Sequence, residues 1–123
     1  MSQFGLPYDE RLRSFGAVRR LVEVGRGGFV YPFRYILFAE PDEKFSVRVL
    51  FSVPKRNHKR ANKRNLLRRR TKEAYRLNKA VLHGCGRSVA ADMALIYTSK
   101  EVCDYKTIEN AVRKILAAVA EEL

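Results

Sequence analysis

From Lys55 to Lys79 the chain carries twelve lysines and arginines against one acid, Glu73, a net +11 of the +12 borne by all 123 residues. The flanks are nearly balanced: residues 1–54 hold eight basic and six acidic side chains, residues 80–123 five and six. Charge of one sign packed this closely repels itself and weakens a compact state unless a polyanion relieves it. The chemistry the segment suits is therefore the binding of a polyphosphate. The sequence offers no paired carboxylates, no Ser/His/Asp arrangement and no metal-ligand cluster that could carry hydrolysis. Cys85 and Cys103 stand far apart without CxxC spacing, so they are read as small buried or semi-buried thiols, not as a zinc site or a disulfide framework.

A long helix is expected from near Asn57 or His58 to about His83, with Gly84 and Gly86 stopping it. Turned by about 100° per residue, it brings Leu66, Leu67, Ala74, Leu77 and Val81 onto one arc, the face that can pack on a sheet. Arg60, Arg64, Arg68, Lys72 and Lys79 fall opposite, flanked by Asn65, Arg69 and Arg76, with Tyr75 among them. A solvated helix normally mixes signs at i,i+4 spacing, whereas here Glu73 stands alone. Arginine outnumbers lysine along this rail, and its planar fork can hold phosphate oxygens bidentately or stack on an unpaired base. Asn65 fits a ribose hydroxyl or a base edge, and equally a hydrogen bond within its own turn.

The elements that must position this helix follow from periodicity. Residues 1–8 read as an arm or extended segment. Phe15, Val18, Leu21 and Val22 give a short amphipathic helix from Ser14 to Val24, with Gly25 as a left-handed stop and Phe15 in the core. Arg26, Gly27 and Gly28 read as a loop. Residues 32–40 and 45–53 read as two strands joined in a hairpin by Pro41 and Asp42, and residues 89–98, charge-free except for Asp92, as an interior strand. Asp104 is placed to cap a last helix whose Ile108, Val112, Ile115, Leu116 and Val119 form a core stripe. The expected fold is α+β, a two-layer sandwich in the order α-β-β-α-β-α, with a small mixed sheet of about four strands, three helices and room for a short extra strand. A 46% hydrophobic content suffices for one core, so residues 1–123 are expected to form a single RNA-binding domain. No apolar run reaches the roughly eighteen residues of a membrane span, and the first thirty residues lack signal-peptide features. A cytoplasmic protein with no membrane partner is expected.

The run Arg64-Asn65-Leu66-Leu67-Arg68-Arg69-Arg70-Thr71-Lys72-Glu73-Ala74-Tyr75-Arg76-Leu77 resembles the signature helix of the bacterial ribonuclease P protein. Ala61, the Val53-Pro54-Lys55-Arg56 approach, Arg11-Leu12-Arg13, Gly25 and Pro32-Phe33-Arg34 follow the same family's order over nearly the whole chain. Two departures stand out. The family's basic residue at the position of Leu66 and its apolar one at that of Arg70 are exchanged here, so Arg70 falls inside the packing arc and is expected to snorkel outward. The aromatic positions of the family's first helix are Val18 and Val22.

The resemblance implies a left-handed βαβ crossover, against the right-handed default. It also implies the function of a protein subunit of ribonuclease P, an endoribonuclease whose holoenzyme removes the 5′ leader from precursor tRNA. The chemistry is then expected from the catalytic RNA with Mg2+, with no cofactor bound by the protein alone, no catalytic residue in this chain and no protein partner required. Carried over position by position, Arg56, Lys59, Arg60, Lys63, Arg64, Asn65, Arg68, Arg69, Lys72 and Arg76 would hold the catalytic RNA. Val18, Val22, Arg34, Ile36 and Ser52 would line the cleft for the leader. His58 and His83, at the two ends of the helix, cannot meet as acid and base; they read as an RNA contact and a C-terminal cap. The alternative from another class is a ribosome-associated or RNA-chaperone protein with no nuclease role. A DNA-binding role is weaker, because no helix-turn-helix pair or zipper is present.

Overall fold

A computed structural model describes residues 15–83 and 89–123. The expected arm, the Arg11-Leu12-Arg13 run, Cys85 and the Gly84 and Gly86 stop lie outside the described residues, as do the side chains of Phe15 and His83. The elements are α1 (Phe15–Val24), β1 (Arg26–Val30), β2 (Phe33–Pro41), β3 (Ser46–Ser52), α2 (Ala61–Asn78), α3 (Ala80–His83), β4 (Val89–Tyr97) and α4 (Tyr105–Glu122). They form an α+β fold on one four-stranded mixed sheet, in which α3 is a short continuation of α2 past Lys79.

The sheet order is β1-β2-β4-β3, with β1 and β4 antiparallel to β2 and β3 parallel to β4. The expected hairpin between β2 and β3 is thus corrected: β4 lies between them. Five consecutive residues of β4, from Ala91 to Leu95, are accordingly buried, as befits a strand paired along both edges. Residues 42–45 reach across the end of β4, from Pro41 opposite Val89 to Ser46 opposite Ala90. Two strand spacings amount to about 10 Å, within reach of such a link.

The expected loop at Arg26, Gly27 and Gly28 is strand β1. A Cβ on Gly28 would come within 2.6 Å of the Tyr35 ring and one on Gly27 within 2.9 Å of the Tyr35 carbonyl. The pair of glycines therefore lets an edge strand lie close over its neighbour. Gly25 does end α1, its N–H donating to the Leu21 carbonyl at 2.9 Å, but not by a left-handed backbone. A side chain there would collide with the Leu21 carbonyl and with Ile36.

One sheet face carries Phe33, Leu37, Val47, Val49, Met93, Leu95 and Tyr97, sealed by α2 and α4. All five expected stripe residues of α4 are buried in it, and the Thr107 N–H donates to Asp104 Oδ1 at 2.9 Å as the cap requires. On the other face α1 seats Leu21 over Ile36 and Ala94, with Val18, Phe38, Leu50 and Ile96 partly buried around them. Much of that face, toward β3, remains uncovered by any helix among the described residues.

Candidate nucleic-acid interface

The basic segment begins as a turn, not as helix. Pro54 accepts hydrogen bonds from the N–H groups of Asn57 (3.1 Å) and His58 (3.3 Å), and Arg60 is extended, so α2 starts at Ala61 instead of near residue 57. His58 is buried. Its Nε2 lies 2.8 Å from the Ser99 carbonyl oxygen and its ring stands edge-on to Tyr97, so the expected RNA contact is instead a clamp between this turn and the β4–α4 connection. Arg64 turns back on the same turn, donating from Nη1 to the carbonyls of His58 (2.9 Å) and Lys59 (2.8 Å).

Along α2 the buried side chains are Leu67, Thr71, Ala74 and Tyr75. Relative to the expected arc, the packed face is rotated toward Tyr75, by roughly 80° at 100° per residue. Tyr75, expected among the cations, meets Phe51 edge-on at 5.8 Å in the core, and the Thr71 hydroxyl donates to the Leu67 carbonyl at 2.8 Å. Leu77 and Val81, expected in the core, are 55% and 49% exposed. Arg70, expected to snorkel outward, is half-buried and spends its guanidinium on the protein: Nη1 donates to the Cys103 carbonyl at 2.6 Å, tying α2 to the segment that leads into α4.

The rotation leaves the cationic row intact. Arg56, Lys59, Arg60, Lys63, Asn65 and Arg69 are exposed, and Arg64, Arg68, Lys72 and Arg76 are half-buried. Asn62, Asn65, Arg68, Arg69 and Lys72 line one shallow depression of about 510 Å3, where Arg68 Nη1 donates to Asn65 Oδ1 at 3.2 Å. Asn62 was not among the expected contacts; its place one turn before Asn65 on the same side was the available signal. The first turn of α2 holds no carboxylate and no side-chain cap, so its positive dipole end adds to the same field. Arg76 stands apart from the row in charge. It donates to both oxygens of Glu73 (Nη2–Oε1 2.6 Å, Nε–Oε2 3.2 Å), and this hydrogen bonding holds the Glu73 carboxyl below its ordinary pKa.

On the uncovered sheet face the register puts Arg34, Ile96 and Ser52 in one row across β2, β4 and β3, with Ile36, Ala94 and Leu50 in the next. The structure thus brings Arg34, Ile36, Ser52 and Val18 to one face. Ile36 is buried beneath α1, and Val22 is 64% exposed and outside that buried cluster. The third row is Phe38, Asp92 and Arg48. There Arg48 grips Asp92 with Nε–Oδ1 2.9 Å and Nη2–Oδ2 3.0 Å, a bidentate pair unforeseen in the sequence, although Asp92 was the only charge of its strand. Among the described residues no group of three or more His, Cys, Asp or Glu side chains is placed to hold a metal ion.

The family model described as Ribonuclease P matches residues 6–120. The chain belongs to the ribonuclease P protein family. Among its relatives, the ribonuclease P protein components of two Porphyromonas gingivalis strains are 37% identical over 121 residues, covering 95% of this chain and 88% of theirs. The fold matches that of the RNase P protein from Thermotoga maritima (TM-score 0.70, 21% identity, 89% of this chain and 96% of that one). It also matches the RNase P protein of Staphylococcus aureus (TM-score 0.66, 18% identity, 89% and 94%). A ribonuclease P protein is a component of the endoribonuclease that matures tRNA 5′ ends, and the ribosome-associated or RNA-chaperone alternative is not favoured.

Proposed function

We propose that this chain serves in the cytoplasm as a single RNA-binding domain, the protein subunit of ribonuclease P, with α2 against the catalytic RNA and the open sheet face beside α1 against the 5′ leader of precursor tRNA. The observation that carries the reading is the row on the outer side of α2, where Asn65, Arg68, Arg69 and Lys72 share one depression free of carboxylates. Guanidinium groups there would grip phosphate oxygens, which sets register and orientation without reading sequence. Arg56, Lys59, Arg60 and Lys63, exposed on the stretch that joins β3 to the first turn of α2, would extend the contact along an RNA strand that follows the row. On the open sheet face Arg34 and Ser52, flanking Ile96, would meet the leader's backbone, with Val18 at its border.

Among the described residues no group of three or more His, Cys, Asp or Glu side chains is placed to hold a metal ion; the proposal assigns cleavage chemistry to the catalytic RNA, where magnesium would supply the activated water. What this chain contributes is positive charge that lowers repulsion between two polyanions, and a fixed surface for the substrate's single strand. No protein partner is needed for either. The test is reconstitution: purified protein added to the catalytic RNA of ribonuclease P at limiting magnesium, with 5′-labelled precursor tRNA. Leader removal is expected to accelerate with protein present; equal rates with and without it would reject the proposal.

A further inference from the structure

Beside the cationic row, α2 and the start of α4 enclose a second hollow of about 380 Å3, lined by Leu66, Arg69, Arg70, Lys72, Glu73 and Tyr105. Its size lies within the roughly 300–1,000 Å3 of small-ligand clefts. Arg69 and Lys72 line it and the depression on the row alike, so the two adjoin. In chemistry they differ. Leu66 and the ring of Tyr105, both half-buried, give the hollow an apolar wall. Glu73, the only acid among residues 55–79, gives it a carboxylate.

The walls are held in place. Arg70 anchors α2 to the Cys103 carbonyl just before α4. The Tyr105 hydroxyl donates to Glu109 Oε2 at 3.2 Å, which also accepts from Asn78 Nδ2 at 3.4 Å, so the ring is fixed to both helices. Glu73 is oriented by Arg76, yet each carboxylate oxygen has a further lone pair to offer. With Arg69, Arg70 and Lys72 also on its lining the hollow stays cationic, but the Glu73 carboxylate adds an acceptor that a phosphate could not use and that the N–H donors of a base edge could. A base also has an apolar face for Tyr105 and Leu66.

We propose that this hollow receives one unpaired nucleobase of the RNA held on the row, its face against Tyr105 and Leu66 and its donors turned to Glu73, and that guanine fits best. Guanine presents two adjacent donors, N1–H and N2–H, to a carboxylate; adenine presents one beside an acceptor, and uracil one between two carbonyls. The proposal rests on the reading of α2 as an RNA surface.

The experiment uses the full chain and fluorescein-labelled uridine dodecamers carrying one central guanosine, inosine or adenosine, or none, with Kd read by anisotropy at two salt concentrations. The guanosine oligomer is expected to bind about tenfold tighter than plain oligouridine, with inosine between them. Glu73→Gln should abolish the preference while plain oligouridine binds as well or better, because Arg76 is released. Tyr105→Leu should do the same through loss of stacking, and Tyr105→Phe should retain the preference. Equal binding of all four oligomers, or a guanosine preference that survives Glu73→Gln, would overturn the hollow's role while leaving the row intact. Absence of salt-dependent binding to plain oligouridine would instead overturn the RNA surface on which it rests.

Discussion

Arg64 and Arg68 stand one turn apart on α2, and their side chains are committed differently. Arg64 closes the turn before the helix through two carbonyls, while among the described residues Arg68 bonds to Asn65 alone, on the exposed side. Arg68→Ala is therefore expected to weaken RNA binding with an unchanged melting temperature. Arg64→Ala should weaken binding and also cost about 1 kcal/mol of stability, seen as a lower urea midpoint, since two hydrogen bonds from a half-exposed cation are lost. His58 belongs to the fold: His58→Ala should cost about 1–3 kcal/mol for a buried partner left unsatisfied, and if its urea midpoint matched the wild type, the clamp to Ser99 would be without weight. Residue type and spacing identified the cations, because charge concentration is visible in the sequence. They could not show that His58 and Tyr75 turn inward, since burial of a polar or aromatic side chain depends on which distant segment comes over it, here Ser99 and Phe51.

At the scale of elements, α2 has two apolar arcs to choose between, and tertiary packing decides. Leu66, Leu77 and Val81 are the more apolar set, but α4 and β3 meet the side holding Leu67, Thr71, Ala74 and Tyr75. Leu67→Ala should therefore cost about 2–5 kcal/mol, whereas Leu77→Ser should stay within about 0.5 kcal/mol; similar losses for the two would place the helix at the rotation expected from periodicity alone. The start of α4 offers a second check. The Thr107 hydrogen bonds hold the Asp104 carboxyl below its ordinary value of 3.8. A carboxyl with a depressed folded pKa stabilises the native state above its unfolded pKa, and that contribution is lost as pH falls through the lower folded one. Asp104→Ala should melt below wild type at neutral pH, with the gap narrowing only once the pH drops under 3.8. Element types were legible from period and punctuation. Strand order was not, because pairing of β4 between β2 and β3 is a non-local choice that leaves no mark on either neighbour's pattern, only on the double burial of β4 itself. The two glycines of β1 could signal a loop or a close approach equally, and only the Tyr35 ring beneath them decides.

For the molecule as a whole, the division of charge governs behaviour. Outside residues 55–79 the chain is nearly neutral, and inside them Arg64, Arg70 and Arg76 are partly committed to the protein itself. The electrostatic face offered to RNA is the side of α2 holding Arg68, Arg69 and Lys72, with the exposed cations that approach it. A protein that holds about six phosphates in this way releases their counterions, so its affinity should fall by roughly 0.7 to 0.9 log units per phosphate for each tenfold rise in salt. The most direct test is the slope of log K against log salt for this protein with the catalytic RNA of ribonuclease P. A slope of about −4 to −5, shallower by about one in Arg68→Ala, is the expected result; a flat response, or a slope that Arg68→Ala leaves unchanged, would contradict the assignment of α2 as the RNA-binding surface.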